Sequence, residues 1–233
     1  MTKVCVSFCI CLSCLFVFAK AGPHHETRGK RYHTGALRHH AGGELQLHIR
    51  HTVKDSTLQL NSTSYTNALG QPYTLTKFKY YIGRIYLRSA RGRDYQSEEY
   101  FLIDEEEEAS KVIRLQHVPA GEYTAIGFLL GVDSLHNCSG AQSGALDPLN
   151  GMFWNWNSGY IFMKMEGRSP ASPAPAHLLE YHIGGYTHGY RHMRMVQLAL
   201  PALLQVQPGA PAVVPLRGAA DELLQGPHRI DFS

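Results

Sequence analysis

The side chains best equipped for chemistry here are histidines and a tight aromatic cluster. Fourteen of the 233 residues are His, a side chain that titrates near neutral pH and is the commonest protein metal ligand. Both tryptophans, Trp154 and Trp156, fall within Met152-Phe153-Trp154-Asn155-Trp156, among Asn150, Gly151, Asn157, Ser158 and Gly159. Aromatic mass and turn residues coincide there, which a plain core strand does not need. In a strand the two indoles, two residues apart, share a face; core packing and a site both remain open for them. His182 lies near the end of the strand-like run Leu178 to Ile183, just before Gly184-Gly185, where the lack of side chains lets a ligand approach closely. His51 falls on the apolar side of the alternation Leu45, Leu47, Ile49, His51, Val53, while His48 points the other way. A satisfied core role and a ligand role are both open for His51. His48, His136 and His188 stand in reserve. Met152, Met163 and Met165 offer soft thioethers but also fill core gaps.

Other polar clusters read as structure. Glu105 to Glu108 is a run of like charges, expected to form a solvated loop and not a calcium site. Asp133, Asp147 and Asn150 suit side-chain-to-backbone turns. Asn61-Ser62-Thr63 and Asn137-Cys138-Ser139 match the N-glycosylation sequon, which matters only in a eukaryotic secretory pathway. Gly-x-Ser-x-Gly, His-Glu-x-x-His and phosphate-cradling Gly loops are absent from the sequence, and no enzymatic activity is expected. A formal charge of +3, dispersed along the chain, gives no footprint for nucleic acid.

The elements that must hold these residues begin behind a leader. Lys3 followed by the apolar run Val4 to Phe18 and Ala19-Lys20-Ala21 has the form of a signal peptide over residues 1–21, too short for a membrane span. Residues 22–43 are basic and His-rich without apolar periodicity, and read as a flexible leader able to collect metal ions loosely. Cys138 is the single cysteine beyond the signal segment, so the exported domain has no internal disulfide and depends on its core. From Glu44 onward, short runs of alternating or aromatic and β-branched residues are separated by turn signals, with the long loop Asp133 to Asn150 among them. In the run after Trp156, Tyr160, Phe162 and Lys164 are expected on one face and Ile161, Met163 and Met165 on the other. No heptad or internal repeat is present. The fold expected for residues 44–233 is all-β, one antiparallel sandwich or barrel with long loops.

Several pieces together resemble the MbnP-like family of exported copper-binding proteins, which includes surface and periplasmic proteins of methanotrophs. They are Tyr80-Tyr81-Ile82, Val118-Pro119-Ala120-Gly121-Glu122-Tyr123, Gly131-Val132-Asp133-Ser134, Gly144-Ala145-Leu146-Asp147-Pro148, Gly151 to Tyr160 and Tyr181-His182-Ile183-Gly184-Gly185. The likeness runs from about Leu45 to Phe232. It implies an exported, non-enzymatic β domain holding a single copper ion through histidines and a tryptophan oxidised to kynurenine. It also implies a partner that delivers copper or oxidises the tryptophan. Imidazole suits copper, and a low-coordinate site suits Cu(I). Carried over residue by residue, the implied metal group is His51, Trp154, Trp156 and His182. An exported interaction or adhesion domain without the metal is the other reading. Relatives continue past the position of Ile230-Asp231-Phe232, whereas this sequence stops at Ser233, a departure that bears on the last strand and on closure of the sheet edge.

Overall fold

A computed structural model describes residues 6–9, 42–154, 159–186, 191–225 and 229–233. Trp156, His188 and nearly all of the two leader segments lie outside the described residues. In chain order the strands are β1 (Val6–Cys9), β2 (Gly43–Val53), β3 (Ser56–Thr57), β4 (Tyr65–Thr66), β5 (Pro72–Ser89), β6 (Tyr95–Gln96), β7 (Tyr100–Asp104), β8 (Val112–Val118) and β9 (Gly121–Leu130). A short helix α1 (Ser134–Cys138) precedes β10 (Phe153–Trp154), β11 (Gly159–Arg168), β12 (Leu178–Gly184), β13 (Arg194–Val206) and β14 (Ala212–Ala219).

These strands form two sheets of five and nine strands. The expected all-β sandwich is what forms, and neither sheet closes into a barrel. The smaller sheet centres on β2, which pairs antiparallel with β8 but parallel with β14, so it is mixed and not purely antiparallel. β1, inside the segment read as a signal peptide, runs parallel to β14. The larger sheet follows β10-β11-β5-β9-β13, with β12 also on β11 and β4, β6 and β7 on β5.

The alternation in β2 places Leu45, Leu47, Ile49, His51 and Val53 between the sheets, as the period of two requires. They meet Phe78, Tyr80, Ile82, Ile126, Phe128, Met163 and Met165 from the larger sheet. The aromatic and β-branched stretch Tyr73 to Leu87 forms one long strand, β5.

A second apolar cluster lies on the other, outer face of the larger sheet. It gathers Tyr81, Val132, Leu146, Met152, Tyr160, Ile161 and Phe162, with Phe153, Trp154 and Tyr186 packed against it. The expected alternation along β11 fails at its start because the pairing with β12 shifts between Ile161 and Met163. This irregularity lets three consecutive side chains, Tyr160, Ile161 and Phe162, join the outer cluster. Past the shift, Met163 and Met165 return to the inner core and the alternation resumes.

Candidate functional site

The long loop forms a roof over the outer cluster. Asp133 caps α1, accepting a hydrogen bond from the His136 backbone N–H. Two 3-10 turns follow, Gly144–Leu146 and Pro148–Asn150, the second capped by Asp147, so the expected side-chain-to-backbone turns are present at both aspartates. Asn137, Tyr160 and Lys164 fasten the roof to the sheet. Asn137 Nδ2 donates to the carbonyls of Val132 (2.8 Å) and Asp133 (2.9 Å), and its Oδ1 accepts from Tyr160 N–H (3.0 Å). Tyr160 O–H donates to the Leu146 carbonyl at 2.7 Å. Lys164 Nζ donates to the Gly151 carbonyl at 2.6 Å. The Tyr160 ring sits edge-on to both Tyr81 and Phe153.

At the edge of this cluster Trp154 meets β12. A Cβ on Gly184 would stand 2.5 Å from the indole and 2.6 Å from the Tyr160 carbonyl, so only glycine fits between them. His182 lies two residues back on the same face of β12. Its Nε2 meets Glu166 Oε1 at 2.8 Å across the β11–β12 pair. Glu166 also faces Lys77 (3.6 Å) and Lys164 (3.9 Å). The structure therefore brings Trp154 and His182 to one face, on two strands that both pair with β11. A carboxylate on one imidazole nitrogen fixes the ring and leaves the other nitrogen for a ligand, an arrangement recurrent behind metal-bound histidines.

His51 is elsewhere. It is 1% exposed and lies on the inner face, packed edge-on to Phe78 and Tyr80. Both ring nitrogens are engaged: Nδ1 with the Glu105 carboxylate and Nε2 with the Tyr80 hydroxyl at 2.8 Å. Burial, with the Glu105 charge nearby, pushes the Tyr80 hydroxyl far above the ordinary tyrosine range, so it keeps its proton. Glu105 also faces Lys111 Nζ at 3.3 Å, and Lys111 reaches Glu108 at 2.6 Å. The nine-stranded sheet separates this inner group from His182 and Trp154. The acidic run is correspondingly not all solvated. Glu106, Glu107 and Glu108 are exposed, but the Glu105 side chain is 7% exposed, drawn inward by an imidazole and an ammonium.

A further imidazole, His136, stands on the roof. Its Nδ1 meets Asp133 Oδ1 at 2.9 Å, its ring packs on Tyr100, and Tyr100 O–H donates to Asp133 Oδ2 at 3.0 Å. His48 is exposed and meets Gln46. Among the described residues no group of three or more His, Cys, Asp or Glu side chains converges as a metal site. Sequence reasoning missed Glu166, Glu105 and Asp133 as imidazole partners. Glu166 alone had a legible signal: the hairpin turn between Arg168 and Leu178 sets Lys164 opposite His182 and Glu166 opposite Glu180, which puts Glu166 diagonal to the imidazole.

The imidazole-facing carboxylates give the protein an acid sensitivity. For Glu166, burial alone would raise the pKa, but the His182 hydrogen bond and the Lys77 and Lys164 charges outweigh it and hold the carboxyl below its ordinary 4.5. For Asp133, burial is likewise outweighed by hydrogen bonds from His136 and Tyr100, and the carboxyl sits below its ordinary 3.8. A carboxyl depressed by folding contributes stability that is full above its unfolded pKa and is lost as pH falls through its folded value. Denaturant midpoints should therefore fall as pH drops below 4.5, and Glu166→Gln with Asp133→Asn should flatten that fall. An equally steep fall in the double variant would remove these two groups as its source.

The chain is thus a two-sheet β sandwich with a roofed aromatic cluster and a carboxylate-backed imidazole beside it on one sheet face. The MbnP family model matches the chain over residues 42–233, and the chain belongs to that family. A solved structure, MbnP from Methylosinus trichosporium, is similar at 14% identity and a TM-score of 0.47, over 68% of this chain and 72% of that one. No curated protein is significantly similar to the chain. Among the described residues no helix is long and apolar enough to cross a membrane.

Proposed function

We propose that this chain is an exported, non-catalytic copper-handling protein, and that the metal is held on the outer face of the nine-stranded sheet by His182 beside Trp154. Family membership supports copper as the cargo, and the signal-like N-terminus supports export. The observation that carries the placement is the His182–Glu166 pair lying two residues from the glycine on which the Trp154 indole rests. The donor chemistry fits: a neutral imidazole held by a carboxylate suits Cu(I), and an oxidised indole would add a carbonyl and an amine nearby. Trp156, two residues along the chain, is the other tryptophan that oxidation could modify, and that step calls on an oxidising partner protein. His51 stays in the core as a partner of Glu105, because both its nitrogens are already engaged.

Metal content and intact mass of protein purified from its own host test this. The expected result is bound copper, lost in His182→Ala and retained in His51→Gln. Kynurenine formation removes a carbon from the indole and adds oxygen, a mass change distinct from plain oxygen addition. Copper retained in His182→Ala would overturn the placement.

A second reading, an interaction or adhesion domain, is favoured by the roof. Leu149 and Leu135 are 93% and 73% exposed on it, and apolar side chains so exposed suit a protein partner. Metal-free protein from the native host would favour this reading.

A further inference from the structure

Tyr81, Tyr160 and Tyr100, all packed in the outer cluster, differ in what their hydroxyls face. Tyr81 is fully buried, and its hydroxyl has no hydrogen-bond partner among the described residues. The Tyr160 hydroxyl donates to the Leu146 carbonyl, a very weak base. The Tyr100 hydroxyl donates to a carboxylate oxygen, Asp133 Oδ2, at 3.0 Å, and accepts from the Asp133 backbone N–H at 3.3 Å. The Tyr100 ring is also fixed in place. A Cβ on Gly83, its partner across β5 and β7, would stand 2.4 Å from the ring, so the ring lies against bare glycine backbone. The His136 ring packs on it at 4.7 Å, and His136 Nδ1 holds the other carboxylate oxygen of Asp133 at 2.9 Å. Removing an electron from a phenol makes its hydroxyl strongly acidic, so oxidation is easy only where a base within hydrogen-bond reach takes the proton. Losing the proton first is unfavourable here, because burial pushes the Tyr100 hydroxyl far above the ordinary tyrosine range. Asp133, held below its ordinary 3.8, stands as a carboxylate at neutral pH and can accept. Of the three phenols, Tyr100 alone has such a base.

We propose that Tyr100 is a redox-active tyrosine, on which a single oxidising equivalent entering the outer cluster comes to rest. The co-reactant is an outer-sphere one-electron oxidant, a high-valent metal complex, which gains one electron. The Tyr100 O–H bond breaks, its proton crosses to Asp133 Oδ2, and a neutral phenoxyl radical remains whose oxygen still accepts from the Asp133 N–H. The other rings connect this site to the indole. Tyr160 lies 5.9 Å from Tyr81 and 5.0 Å from Phe153, centroid to centroid, and Trp154 and Tyr100 pack against the same cluster. An electron taken from Trp154 is therefore replaced from Tyr100 through neighbouring rings, unless a second oxidising equivalent reaches the indole first. None of these steps requires bound copper.

The test attaches a ruthenium tris-bipyridine photo-oxidant to Cys138, which is exposed and lies two residues from His136 in α1. The full chain carries Cys5→Ser, Cys9→Ser, Cys11→Ser and Cys14→Ser, so that Cys138 is its single thiol. After a flash in the presence of an irreversible electron acceptor, the expected electron paramagnetic resonance spectrum is that of a neutral tyrosyl radical. Its formation is slower in heavy water, because the proton leaves with the electron. Tyr100→Phe keeps the ring on Gly83 and removes the O–H; the tyrosyl signal is lost and an indole radical takes its place. Asp133→Asn keeps a good helix cap, but an amide does not take the proton, and radical formation slows by about 100-fold. A tyrosyl radical that survives Tyr100→Phe, equal rates in ordinary and heavy water, or an unchanged rate in Asp133→Asn overturns the proposal. So does a parent protein that yields an indole radical alone, or no radical.

Discussion

Replacing Glu105 with alanine should destabilise the protein by about 3–5 kcal/mol, the cost of removing one partner from a buried ion pair. His51 and Lys111 converge on that carboxylate, and its loss leaves the buried His51 Nδ1 without its partner and Lys111 with only the exposed Glu108. For a domain of this size the melting temperature should fall by roughly 6–20 °C. Glu105→Gln should cost less, since an amide oxygen can still accept from one of the two. Converting His51, Glu105 and Lys111 together to apolar residues of similar volume should restore most of the loss, because a well-packed apolar group can match a buried pair. Equilibrium unfolding of the four proteins decides the matter. A loss below about 1 kcal/mol in Glu105→Ala, the range of exposed pairs, would mean that water reaches this group and that the network does not hold the acidic run to the core.

Tyr160→Ala should cost about 3–5 kcal/mol, the range for truncating a large buried aromatic side chain. It removes the ring that packs against Tyr81 and Phe153 and the hydroxyl that holds the Leu146 carbonyl. Tyr160→Phe keeps the ring and loses only the hydrogen bond. It should cost about 1–3 kcal/mol, because the Leu146 carbonyl is left without that donor. The two variants separate what the aromatic cluster contributes from what the roof anchor contributes. Retention of wild-type stability in Tyr160→Ala would show that the roof is held by its other contacts, those of Asn137 and Lys164 and the Tyr100–Asp133 pair.

The sandwich was legible because its inner face follows a strict period. Leu45 to Val53 alternate over the whole of β2, and no plausible register hides them. The outer cluster was half legible. Its aromatic content and its loop stood out as composition, but the pairing shift between Ile161 and Met163 turned Ile161 onto the outer side, and a one-residue irregularity leaves no mark in hydrophobic periodicity. The imidazole partners were the least legible. Glu105 lies 54 positions from His51, in a run whose charge argues for water. What buries it is a Lys and a His brought by other elements, and no local pattern encodes such convergence. The parallel pairing of β14 with β2 is also set by chain crossing and not by local sequence.

Tyr80 and Tyr81 are consecutive, yet one faces His51 between the sheets and the other faces Tyr160 under the roof. Mutational drift therefore acts on the two sides by different rules. Substitutions around Tyr80 are screened by the requirement that two sheets pack, and those that fail cost the whole domain. Substitutions around Trp154, His182 and Gly184 touch a cluster roofed by one loop, on the face away from the packing between the sheets. Such a scaffold can keep its family resemblance while its outer face changes.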